Sequence, residues 1–232
     1  MLRTIIFAAI IAGTLTGIVF TAIQHLQVIP LVHQAESYEA NSDTNQAPSH
    51  AHSRHSNEHP PVQSINEKNL ERNLFTLLAN ILAGIGFAML LASVITLSQH
   101  NGWLKGLGWG IAGYLCFFVA PGLGLTPKLP GTLGAALEHQ QLWWVTTVIA
   151  SSLGLGLIVF AKHIILKILG AGFIIMPYVI GAPLPEVAYS LAPEALRQQF
   201  VIASAIANAG FWIVLGLLSG YLLRNKEQEN NT

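Results

Sequence analysis

Six apolar runs govern what this chain can fold into: Ile5–Ile29, Leu74–Leu97, Trp103–Ala120, Leu142–Ala161, Ile164–Ile180 and Phe200–Leu223. A helix needs roughly 20 apolar residues to cross the hydrocarbon core of a bilayer, and each run comes near that length. Charged residues make up only 9% of the 232 residues, where a soluble domain carries about a quarter. In lipid a backbone must satisfy its own amides, and a single apolar run does so as a helix. The expected fold is all-α: a polytopic integral membrane bundle of about six transmembrane helices, forming one membrane domain over residues 1–232. The fifth run differs from the rest. With Lys167 near its start and Pro177 near its end, it reads as a full span, a half-helix or a re-entrant segment. The first run is longer than the ~7–15 apolar residues of a signal peptide and is read as a retained helix.

Charge sets the orientation. Lys and Arg near helix ends stay cytoplasmic. Six spans with both termini cytoplasmic put Arg3, Lys105, Lys162, Lys167, Arg224 and Lys226 inside, and most carboxylates outside. Residues 30–73 then form an external loop with six carboxylates against three basic residues, a field that draws cations. The expected location is a bacterial inner membrane, with the lipid bilayer as first partner. Zero formal net charge leaves no basic stripe for nucleic acid.

Within that loop, "SHAHSRHSNEH" sets His50, His52, His55 and His59 among residues that cannot build a core. Neutral imidazole is the commonest side-chain ligand for first-row metals, so the tract reads as an ion collector, or else as a solvated linker. A second cluster follows the first run. If a short helix begins at Pro30, His33, Glu36 and Glu39 fall at i, i+3 and i+6, spanning about a third of its circumference. Glu/His pairs three apart on helices build carboxylate metal sites. The bland alternative is an interfacial helix with an acidic face. His25, at the end of the first run, reads as a pore-mouth ligand or an interfacial histidine with a backbone partner.

Residues 121–141 form a Pro/Gly-rich loop or re-entrant segment, where Pro121, Pro127 and Pro130 forbid a long helix. Transporters use such breaks as ion sites. Glu138 and His139 close the segment, and Trp143 and Trp144 read as interfacial anchors. "MPYVIGAPLPE" is a second break, whose Glu186 would line the same vestibule. Glycines four apart (Gly13 and Gly17; Gly102, Gly106 and Gly110; Gly216 and Gly220) read as close helix contacts. No P-loop, HExxH or GxSxG motif occurs, so no enzyme is expected.

The chain resembles the CbtA family of predicted cobalt transporter subunits. The likeness rests on the start "MLRTIIFAAIIAGTLTGIVFTAIQHLQVIPLVHQAESYE" and on "LERNLFTLLANILAGIGFAMLL". "LGWGIAGYLCFFVAPGLGLTPKLPG", the paired tryptophans and "MPYVIGAP" extend it. The resemblance implies cobalt uptake for cobalamin synthesis beside a small single-span subunit with its own histidines. It also implies a histidine after Pro177, where this chain has Tyr178. The expected function is a membrane subunit for uptake of a divalent transition metal. Co²⁺ is favoured by the resemblance, while Ni²⁺ and Zn²⁺ suit the same ligands. No tightly bound cofactor is expected. The alternative is a metal-binding sensor or assembly subunit that moves nothing.

Overall fold

The computed structural model describes residues 2–45, 62–98, 102–185 and 189–229. Helix α1 (Leu2–Ile23) passes through a π turn (Gln24–Val28) into α2 (Ile29–Asn45). Then come α3 (Val62–Leu97) and α4 (Trp103–Tyr114). A second π turn (Leu115–Val119) leads into α5 (Ala120–Gly124). The chain ends with α6 (Leu137–Phe160), α7 (Ile164–Ile180) and α8 (Glu194–Glu229). Five stretches are long and apolar enough to cross a bilayer: Ile5–Asn41, Leu70–Leu97, Trp103–Gly124, Leu137–Phe160 and Glu194–Arg224. The fifth apolar run is the short one. Its helix, α7, has 17 residues and a length of about 25 Å, against a hydrocarbon core of about 30 Å. Gly181 ends it at φ 89°, a conformation that favours glycine.

Two prolines expected to open or break helices do neither. Pro30 does not start a separate helix, and Pro121 lies inside a helix that continues to Gly124. A proline ring clashes with the carbonyl four residues back and offers no amide hydrogen. Both are accommodated the same way. Ile29 N–H bonds the Gln24 carbonyl and Ala120 N–H bonds that of Leu115, each five residues back. The widened turn makes room for the ring two residues after it ends. The carbonyl that each proline would have bonded has no amide partner from that position.

The packing is built on close backbones. α1 lies mainly against α3, α4 against α8, and α6 against α7, with α8 also crossing α1. A Cβ on Gly17 would sit 2.6 Å from the Cα of Ile81, and one on Gly220 would sit 2.8 Å from the Cα of Gly106. Small residues at this spacing let helices approach in lipid, where tight packing replaces the hydrophobic drive. At the centre, Phe87 stands edge-on to Phe117 and Phe211, with ring centroids 5.1 and 6.0 Å apart. Trp212 tilts against the same Phe87 at 5.1 Å.

The α6–α7 hairpin sits at the side, joined to the rest chiefly through α5 and the turn before it. Trp143, expected as an interfacial anchor, is instead buried, and its indole N–H donates to the Pro177 carbonyl at 3.3 Å. Trp144 remains partly exposed. Tyr178 donates its hydroxyl to the Ala120 carbonyl at 2.6 Å, pinning α7 to the start of α5.

Candidate functional site

The end of the bundle that carries α2 holds His33, Glu36 and Glu39, three of the expected site residues. α2 lies there because Ala35 is buried against Leu129, Ala192 and Leu196, with Leu31 and Val32 packed beside them. That contact fixes the rotation of the helix. His33 and Glu36, three residues apart, share one face. His33 Nδ1–H donates to Glu36 Oε2 at 3.0 Å. Arg72 reaches this pair from α3, its Nη2 lying 2.9 Å from His33 Nε2 and 3.4 Å from Nδ1, and its Nη1 donating to Glu36 Oε1 at 3.4 Å. The three side chains are between 41% and 49% exposed, so the contacts are too wet to add much stability. Glu39 lies half-buried, three residues further along α2.

Arg72 was not singled out in the sequence. It stands 39 residues from His33, and only the antiparallel run of α3 beside α1 and α2 brings them together.

Below this cluster lies a polar bridge that the sequence also hid. Asn80 on α3 donates to Thr21 Oγ1 at 2.9 Å and to Gln24 Oε1 at 2.6 Å, while Thr21 donates to the Gly17 carbonyl at 2.8 Å. The bridge meets α1 where the π turn begins. His25 Nδ1–H bonds the Thr21 carbonyl at 3.1 Å, which gives it the backbone partner of the second expected reading.

The two Pro/Gly breaks meet at the same end. Leu133 N–H bonds the Tyr189 carbonyl at 3.0 Å and Leu191 N–H bonds that of Gly131 at 3.2 Å. Between them the Thr132 and Ser190 hydroxyls lie 3.0 Å apart. The paired segments wall a cleft of about 650 Å³. Its charged lining among the described residues is Lys128, Glu194 and Arg197. Arg197 pairs with Glu194 at 2.8 Å, and Lys128 donates to Gln140 at 3.2 Å. Glu138 and His139 sit exposed on the first turn of α6. His50, His52, His55, His59 and Glu186 lie outside the described residues. Among the described residues, no three His, Cys, Asp or Glu side chains converge as a metal-binding group. The nearest approach to one is the His33–Glu36 pair, one imidazole and one carboxylate with a guanidinium against both.

Comparison with known families matches residues 2–224, nearly the whole chain, to the family described as "Probable cobalt transporter subunit (CbtA)". No curated protein and no solved structure matches the chain.

Proposed function

From the premise that this chain belongs to the CbtA family of probable cobalt transporter subunits, we propose that it takes up a divalent transition-metal ion through the end of the bundle that carries α2. The family assigns the chain to membrane metal transport and, as a subunit, to a complex. The finer reading is ours. His50, His52, His55 and His59 gather the ion outside the cell, and the acidic character of their loop raises its local concentration. His33, with Glu36 and Glu39, receives it at the mouth of the first span. The Pro/Gly-broken segments around 122–134 and 181–186 form its passage inward, with Glu138, His139 and Glu186 as further ligands. Cobalt is the favoured ion, and the partner is a small single-span subunit bearing histidines. Both termini are cytoplasmic, in the inner membrane of a bacterium.

The observation that carries this reading is the His33–Glu36 pair at 3.0 Å. A carboxylate on one ring nitrogen is how metal-ligating histidines are oriented. It sits at the outer end of a helix that continues unbroken from the first span. Reconstitution of the purified chain in vesicles, with and without a co-purifying small subunit, tests it through Co²⁺ entry. Entry that His33→Ala abolishes supports the reading. Ion binding without entry under both conditions would make the chain a sensor or assembly subunit.

A further inference from the structure

Glycine has two uses in this bundle, and α4 and α6 show both. Gly106 and Gly110 on α4 press against the backbone of α8, and Gly154 on α6 presses against that of α7. Gly108 and Gly156 press against no neighbour: a Cβ on either would meet nothing within 4 Å. Both line a groove of about 660 Å³ between α3, α4 and α6. Leu90 and Val94 of α3, Ala112 of α4 and Leu155 of α6 contribute to its apolar wall. A side chain at either glycine would fill part of it.

An apolar groove facing lipid selects no occupant by itself, because a lipid tail gains little on leaving other tails. Charge makes the choice. Among the described residues that line the groove, Lys105 alone is charged, and it stands on the first turn of α4. It is exposed and takes part in none of the ion pairs among the described residues. Lysine at a helix end lays its stem along apolar surface and carries its ammonium to the headgroup layer. Trp109 and Phe160 stack with centroids 5.7 Å apart and tie α4 to the last turn of α6 at this end. Lys105 is one turn from Trp109, and Lys162, also exposed, follows two residues after Phe160. Both lysines therefore belong to the end of the bundle opposite α2.

We propose that the groove binds an anionic phospholipid of the surrounding bilayer. One acyl chain lies along Gly108 and Gly156, and the phosphate meets Lys105, with Lys162 flanking it. The phosphate brings the counter-charge that Lys105 lacks among the described residues, and basic pockets between transmembrane helices are where such headgroups bind. The Trp109–Phe160 stack closes the floor near Lys105. A partner's helix about 10 Å across cannot sink between α4 and α6 there, whereas a flexible acyl chain follows the wall past the rings. The site also has a structural use. The α6–α7 hairpin is joined to the rest chiefly through α5 and the turn before it, at the other end of the bundle, and a lipid chain packs the gap that remains at this one.

The test uses the full chain in detergent and native mass spectrometry. Palmitoyl-oleoyl phosphatidylglycerol and phosphatidylcholine, alike in their tails, are added in equal amounts. The parent should retain phosphatidylglycerol with a preference of about fivefold, the weight of one lysine near an anionic headgroup. Lys105→Gln should remove the preference and Lys105→Arg should keep it. Lys167→Gln, which removes an exposed charge on the first turn of α7 outside the groove, should leave it unchanged. Gly156→Leu fills the groove and should abolish retention of both lipids. If that variant does not purify as a folded helical protein, Gly108→Leu carries the same arm. No retention by the parent, or equal retention of the two lipids, overturns the proposal. So does a preference that Lys167→Gln removes as fully as Lys105→Gln, which is surface charge alone, and so does retention that the groove-filling variants leave intact. A photoreactive side chain at Leu155 that captures a polypeptide and not lipid in native membranes assigns the groove to a partner's helix and overturns it as well.

Discussion

Asn80 on α3 ties the last turn of α1 to the first π turn through two bonds, to Thr21 Oγ1 at 2.9 Å and to Gln24 Oε1 at 2.6 Å. It is an amide within an otherwise apolar run, so its partners are protein and not water. Interhelical hydrogen bonds in lipid average about 0.6 kcal/mol and reach about 1.7. Asn80→Leu removes two and leaves Gln24 without its donor. The expected loss is about 1–2 kcal/mol in a reversible unfolding measurement in bicelles, with a far smaller effect from Asn80→Gln if the longer amide still reaches both partners.

The glycines divide into two groups with opposite expectations. A Cβ on Gly17 or Gly220 would collide with the backbone of a neighbouring helix, whereas Gly86 and Gly172 have nothing within 4 Å. Overpacking costs about 1–3 kcal/mol where a side chain can shift, and more where backbones must part. Gly17→Leu should therefore abolish accumulation of folded protein. Gly86→Leu should leave it near the parent level by fluorescence-detected size exclusion.

Orientation follows from the basic residues near helix ends. A reporter fused after Thr232 should be active only if its enzyme works in the cytoplasm, and one inserted at Asn57 only if its enzyme works outside. An external signal at Thr232 would reject the six-crossing arrangement and make α7 a segment that does not span.

The loop histidines and the Glu36 and Glu39 carboxylates should separate under metal scarcity. Metal binds neutral imidazole, whose ordinary pKa is about 6.5, so protons and ions compete and capture weakens as pH falls. Replacing His50, His52, His55 and His59 with Ala should reduce uptake at low metal and near-neutral pH, and change little at saturating metal. Below about pH 5.5 the unchanged chain should lose the same advantage. Replacing Glu36 and Glu39 with Gln should depress uptake at every metal concentration. Orienting groups of this kind are worth about 10–100-fold in metal affinity.

The helical bundle could be read from the sequence because lipid leaves so few ways to satisfy a backbone. The glycine contacts could be read too, since four-residue spacing has one main use in that setting, except at Gly102, which precedes α4 at φ 126° and where an added Cβ would meet nothing within 4 Å. The prolines misled. Pro30 and Pro121 looked like boundaries because the clash they cause is real, but an extra residue per turn absorbs it, and nothing local distinguishes the two outcomes. Trp143 was misplaced for a related reason. Paired tryptophans suggest an interface, while the carbonyl that receives the Trp143 indole lies 34 residues away at Pro177. The site was half legible. His33 and Glu36 could be paired by counting along a helix, but Arg72 and Asn80 come from another helix and carry no local signal.

The continuity of α1 with α2 has a mechanical consequence. From residue 2 to residue 45 the backbone is one shaft, about 65 Å long. Glycine contacts with α3 clamp its lower part, and its upper part bears on Leu129, Ala192 and Leu196. Between these two bearings lies the wide turn at 24–28, the one stretch whose ladder departs from the regular pitch. Torque applied at His33 therefore concentrates at that collar, where Asn80 holds it from the side. Whatever swings at the top of the shaft must be absorbed there before it reaches the clamped half below.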